Sequence, residues 1–155
     1  MSISISVLLY ACGNQNGDNK PLAAQDNTPA SNATSDANPS YDPERGEGKF
    51  SNVQLDEHLN TAMANDGEKV FEVKCAACHK LTDEKLVGPG WKGVTARHKP
   101  EWIMNFITNP DAMLDKDPKA QAMLEICLVR MPNQNLSDDE ARNVLEFMRK
   151  NDGVK

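Results

Sequence analysis

From Phe50 onward, apolar positions recur at helical spacing. Leu55, Leu59 and Met63 stand at i, i+4 and i+8 and predict a weak first helix. Asp66-Gly67-Glu68 then precedes Val70, Phe71 and Val73 in a run that ends at Cys75. Pro100 suits the first position of a helix, and Trp102, Ile103, Phe106 and Ile107 give it an apolar face. Asn109-Pro110 predicts a stop. Asp117-Pro118 predicts a new start, with Ala120, Met123, Leu124 and Cys127 on one face. Ser137-Asp138-Asp139-Glu140 has the form of a capping box, and Ala141, Val144, Leu145 and Met148 follow as a stripe at i, i+3, i+4 and i+7. No stretch alternates with period two, and no internal repeat is present. The pattern predicts an all-α domain over residues 50–155, with about five helices.

Residues 13–49 differ in kind. Asn, Ser, Thr, Asp, Pro and Gly dominate, and Leu22 and Tyr41 are the only bulky apolar side chains. Such a segment buries too little to offset its conformational entropy, so a disordered tether is expected. A tether of this length spans roughly 35 Å on average and about 120 Å when stretched. Ahead of it, residues 1–11 are mostly apolar and end Leu9-Tyr10-Ala11 before Cys12. This stretch resembles the end of a bacterial lipoprotein signal peptide, cleaved before a Cys that is then acylated. No Lys or Arg precedes the apolar run. The alternative is an unprocessed terminus with an incidental Cys.

Composition narrows the function. The chain has 155 residues, enough for one ordinary domain, and no run of 18 apolar residues that predicts a membrane-crossing helix. Lys and Arg number 17 against 23 Asp and Glu, and the net charge of -6 tells against nucleic-acid binding. Four cysteines invite a disulfide reading, but they stand at positions 12, 75, 78 and 127.

Cys75-Ala76-Ala77-Cys78-His79 carries the chemistry. Two thiols three residues apart reach the two vinyl groups of a haem, and the next His places its imidazole on the iron. A zinc site wants a second Cys or His pair, and only Cys127 remains. A thioredoxin-like site wants a βαβ context, which this pattern lacks.

Two further segments follow in order: Val87-Gly88-Pro89-Gly90-Trp91, a turn-forming loop, and Arg130-Met131-Pro132-Asn133 before the capped last helix. With these, residues from about 66 to 150 resemble a small class I cytochrome c domain. The resemblance implies a cytochrome c-like fold around one covalent haem c. By the same resemblance Cys75 and Cys78 attach the haem, His79 is the proximal ligand and Met131 the distal one. Pro89 matches the residue whose carbonyl accepts the His ring N–H, which fixes the tautomer. His98 is the rival distal ligand. Trp91 and Trp102 are expected in the haem crevice or in the core, and Arg97 either at a haem carboxylate or on the surface. The other Met residues read as core filler, and Cys127 as a buried, inert thiol.

A His/Met haem has no open coordination position, so the implied function is one-electron transfer without catalysis on a substrate. Partners are then membrane-bound or periplasmic electron donors and acceptors, with a terminal oxidase or a nitrogen-oxide reductase such as nitrous oxide reductase as candidate acceptors. With Cys12 acylated, the expected location is the periplasmic side of a bacterial membrane. A haem-based sensor, a peroxidase-like domain, or a module docked on a larger redox enzyme are the alternatives. Around the motif, Lys74, Lys80, Lys85, Lys92, Arg97 and Lys99 face only Asp83 and Glu84 in sequence, which predicts a basic rim that steers docking.

Overall fold

The computed structural model describes residues 41–155. The signal-like stretch 1–11, Cys12 and the tether as far as residue 40 lie outside the described residues. The described residues form six helices and no strand: α1 Thr61–Lys74, α2 Val94–Arg97, α3 Pro100–Thr108, α4 Pro110–Lys116, α5 Pro118–Cys127 and α6 Asp138–Asn151. The all-α expectation holds.

The frame is the crossing of α1 and α6, the most extensive helix contact in the domain. Phe71 on α1 meets Phe147 on α6 with ring centroids 5.5 Å apart. The crossing is close because Gly67 sits in it: a Cβ there would lie 2.0 Å from the Asn143 backbone oxygen. Helix α6 is built as its sequence predicts. Ser137 Oγ accepts from the Glu140 N–H, and the Glu140 carboxylate accepts from the Ser137 N–H. Ala141, Val144, Leu145 and Met148 are all buried.

Glu146, on the same helix, is fully buried. Its carboxylate accepts from Arg149 at 2.6 Å, from Arg142 at 2.7 Å and from the Asn60 N–H at 2.8 Å. Burial alone would raise its pKa. Arg142, the Asn60 N–H and Arg149 outweigh that and hold it below the usual carboxylate range. Asn60 is the N-cap of α1, so this one carboxylate ties α6 to the start of α1. Glu146→Leu leaves the buried Arg149 with only the Asp56 carbonyl and no counter-charge, and is expected to cost about 3–5 kcal/mol in thermal or urea unfolding. A carboxyl with a depressed folded-state pKa contributes its stability above the unfolded pKa and loses it as pH falls through the folded one. Acid should therefore destabilise the wild type more than the Leu variant over that interval.

Several expected boundaries move. Leu55 and Leu59 lie before α1, outside any helix, and only Met63 of that trio is helical. Asn60 starts the helix by accepting from the Met63 N–H through its side chain. Asp66-Gly67-Glu68 is helix interior. Val73 points outward and is 84% exposed. Asn109-Pro110 ends α3 but also begins α4: Asn109 closes the first helix with its backbone and caps the next with its side chain. Helix α2 is one turn long, and Asp152 receives its first N–H groups, 2.5 Å from the Gly93 nitrogen and 2.9 Å from that of Thr95.

Packing also begins upstream of Phe50. Residues 41–49, expected to belong to a disordered tether, lie as a strap across α3, α4 and α5. Asn105, fully buried, donates to the carbonyls of Arg45 (3.0 Å) and Phe50 (2.9 Å) and accepts from the Phe50 N–H at 2.9 Å. The Tyr41 hydroxyl donates to buried Asp117, which also accepts from Trp102 Nε1 at 3.1 Å and caps α5 through the Ala120 N–H. Lys116–Glu47 and Lys119–Glu44 ion pairs flank the strap.

Candidate functional site

Helix α1 delivers the Cys-x-x-Cys-His segment. Its backbone turns over at Cys75, whose carbonyl accepts from the N–H groups of Cys78 and His79, each at 3.0 Å. Cys75 is buried in the core, and burial, with the neighbouring Cys78, raises its thiol pKa to about 11 against the opposing pull of Lys74. Cys78 and His79 are half-buried and face a crevice of two adjoining lobes.

The first lobe holds about 550 Å³ of space open to solvent, between the Cys78–His79 turn, the Gly88-Pro89 loop, α5 and Met131. The second holds about 930 Å³, bounded by Trp91, His98, Trp102 and Met148. Five side chains border both: His79, Pro89, Phe106, Met123 and Met131. A large, mainly apolar cleft bordered by an imidazole and a thioether fits a haem, whose ring is flat and apolar and whose iron takes nitrogen and sulfur donors.

His79 is oriented by its loop. Its Nδ1 lies 2.8 Å from the Pro89 carbonyl oxygen, an acceptor, so Nδ1 carries the ring proton and Nε2 keeps its lone pair. Burial lowers the pKa of this imidazole and the Pro89 bond opposes that only in part, which keeps the ring in its ligating neutral form. The loop passes so close that a Cβ on Gly88 would sit 2.4 Å from His79 Cε1. Trp91 backs the ring at 5.7 Å between centroids and contacts Phe71 at 4.7 Å.

Trp102 borders the second lobe, but its indole N–H is taken by Asp117. Arg97 borders it too, with its guanidinium donating to the carbonyls of Lys92 (2.6 Å) and Gly90 (3.4 Å). Cys127, expected as a buried core thiol, is instead half-buried in the wall of the first lobe. Cys75, Cys78 and Cys127 form no disulfide. Gly88, Phe106 and Met123 were not singled out as site residues by sequence reasoning. A glycine beside the loop proline was the one available signal for Gly88.

Two of the six cations of the basic rim are ion-paired, and a third bonds a backbone carbonyl. Lys74 pairs with Glu140 at 2.9 Å, Lys80 with Glu84 at 2.6 Å, and Lys85 donates to the Ile126 carbonyl at 2.8 Å. That last bond joins the loop of Leu86 and Val87 to the end of α5, where Ile126 and the following Leu128 and Val129 are also exposed and apolar. Leu128 caps α5 at φ 61°, a left-handed conformation that disfavours a Leu.

Known proteins share this arrangement. The cytochrome c family pattern matches residues 64–152. Cytochrome c-551 of Stutzerimonas stutzeri is 49% identical over 41 residues, a match that spans 26% of this chain and 38% of that protein. A cytochrome c from Rhodothermus marinus superposes with a TM-score of 0.66 at 35% identity, covering 68% of this chain and 90% of that one. An engineered form of it, Rma TDE, gives 0.68 at 34% identity over 72% of this chain and 98% of its own. The pattern reaches from α1 to the residue after α6 and the likeness in sequence runs with the likeness in fold, so the chain belongs to the cytochrome c family, which transfers electrons through one covalent haem c.

Proposed function

We propose that this chain is a lipid-anchored, periplasmic electron carrier in which His79 and Met131 ligate the iron of a haem c attached through Cys75 and Cys78. The observation that carries the ligand assignment is the shared border of the two lobes, where an oriented imidazole and a thioether meet one cleft. The bound haem supplies a one-electron ferric/ferrous couple. The chain's own residues do the rest. The Pro89 carbonyl holds His79 Nε2 available for the metal. Trp91, Phe106 and Met123 wall the cleft with apolar surface, and that lowers the local dielectric. With His79 and Met131 both given to the iron, no coordination position would remain for a small molecule, which favours electron transfer over sensing or peroxidase chemistry.

Two sequence features support the anchor: the Leu9-Tyr10-Ala11-Cys12 segment and the polar stretch after it. No helix among the described residues is long and apolar enough to cross a membrane. Partners of this reading are a membrane-bound or periplasmic donor and an acceptor such as a terminal oxidase or a nitrogen-oxide reductase, nitrous oxide reductase among them. The exposed Leu86, Val87, Ile126, Leu128 and Val129 beside the first lobe support docking through apolar contact. The test is the optical spectrum of the ferrous holoprotein with and without carbon monoxide. A low-spin spectrum that the gas leaves unmoved supports His79/Met131 ligation. Ready gas binding overturns it in favour of a sensor or catalytic domain.

A further inference from the structure

His98 follows α2 and half-buries its ring in the wall of the second lobe, the lobe that His79 and Met131 also border. The ring is held firmly: it stacks on Trp102 with centroids 4.0 Å apart and planes 14° from parallel, and its backbone N–H bonds the Val94 carbonyl at 3.1 Å. Trp102 is in turn fixed by Asp117 and by a second stack on Phe106 at 5.1 Å. Yet His98 Nδ1 is closed off from solvent and has no hydrogen-bond partner among the described residues. A buried, unpaired ring nitrogen is a cost that a structural histidine ordinarily avoids.

The charged groups around the ring come from each element that packs on it. Arg97 of α2 and Lys119 of α5 oppose its protonation. Asp117, at the start of α5, and Glu44, on the strap, favour it. Both carboxylates are already engaged, Asp117 by Tyr41, Trp102 and the Ala120 N–H, and Glu44 by Lys119 at 2.8 Å. Among the described residues no protein group hydrogen-bonds the ring, so charge held in the crevice has leverage over it.

We propose that His98 is a redox-linked proton-binding site, its imidazole taking up a solvent proton as the crevice takes up an electron from the donor protein. The proton adds to the free lone pair of the neutral ring, and no other bond is made or broken. On reoxidation the electron leaves to the acceptor and the proton returns to solvent. The physical cause is that one added negative charge in a poorly solvated cleft favours the cationic form of a nearby group. Burial first, then Arg97 and Lys119, hold the imidazole below its ordinary pKa, which favours the neutral ring until negative charge enters the crevice. The inference rests on the electron-carrying role proposed above.

Redox titrations of the full-chain holoprotein from about pH 5 to about pH 8 test it, imidazole titrating in this range. The wild-type midpoint should rise as pH falls, approaching a tenfold change in the reduction equilibrium per pH unit. His98→Gln and His98→Phe should flatten that dependence. Proton NMR of wild-type His98 should show it titrating at higher pH in the ferrous protein than in the ferric one, a readout independent of how the variants fold. A wild-type midpoint that ignores pH, a slope retained in both variants, or equal titration points in the two states would each overturn the proposal. A failure here leaves a one-electron wave with a pH-independent midpoint, whereas absence of any wave sinks the electron-carrier reading as well.

Discussion

Met131→Ala is expected to lower the midpoint potential of the holoprotein by on the order of 0.1 V, a modest part of the ~0.8 V that axial ligands span. The weak long-wavelength sulfur-to-iron band should vanish, and the ferrous protein should bind carbon monoxide. A thioether stabilises ferrous iron relative to nitrogen or water donors, so its loss favours the ferric state. The structure narrows the control. Of the other methionines, Met123 borders both lobes and Met148 borders the second. Met113 is fully buried and receives the Glu47 N–H at its sulfur, and Met104 is buried in the core. Met123→Leu should therefore keep the sulfur band. If instead the band survives in Met131→Ala and disappears in Met123→Leu, the ligand is Met123.

Gly67→Ala should destabilise the domain although it adds a single methyl group. Helix propensity alone favours Ala by about 1 kcal/mol at such a position. The geometry outweighs this, because the new Cβ would sit 2.0 Å from the Asn143 carbonyl oxygen and 2.5 Å from its carbon, both backbone atoms of α6. Backbone in mid-helix has no rotamer to escape into, so α1 and α6 must separate along their whole contact. A loss of about 3 kcal/mol is expected, at the upper end for overpacking. Chemical denaturation of the holoprotein measures it, and a variant as stable as the wild type would show that the two helices do not cross at Gly67.

The same glycine shows where sequence reasoning stopped. Asp66-Gly67-Glu68 reads only as a polar lead into Val70, Phe71 and Val73, because glycine is costly in a helix and nothing local says that another backbone passes beside it. Ser137, Pro100 and Asp117 were legible as starts, since each acts through its own neighbours within one turn. Leu55 and Leu59 have helical spacing but lie outside any helix. The capping side chain of Asn60 decides the boundary. Asn109 carries two signals at once, a stop and a cap, and only the stop was read. The strap 41–49 is polar enough to look disordered, yet it is held by side chains of Asn105 and Asp117 more than fifty positions away. At the site, Cys78, His79, Pro89, Trp91 and Met131 all border the two-lobed crevice. Cys75 stays in the core beside it, and the unpaired nitrogen of His98 is a property of three-dimensional packing that no motif encodes.

The α1–α6 crossing also bears on the order of events as the chain is made. It joins the first described helix to the last, so the frame of the domain rests on contacts of long sequence separation, which cost loop-closure entropy. Until residues 138–151 have been synthesised, α1 has no partner to bury Phe71 against and is too short to persist alone. The segment from Cys75 to His79 continues directly from α1, so it shares that helix's lack of a packing partner over that interval. Attachment of a cofactor to its thiols thus has a natural window, which closes when α6 docks.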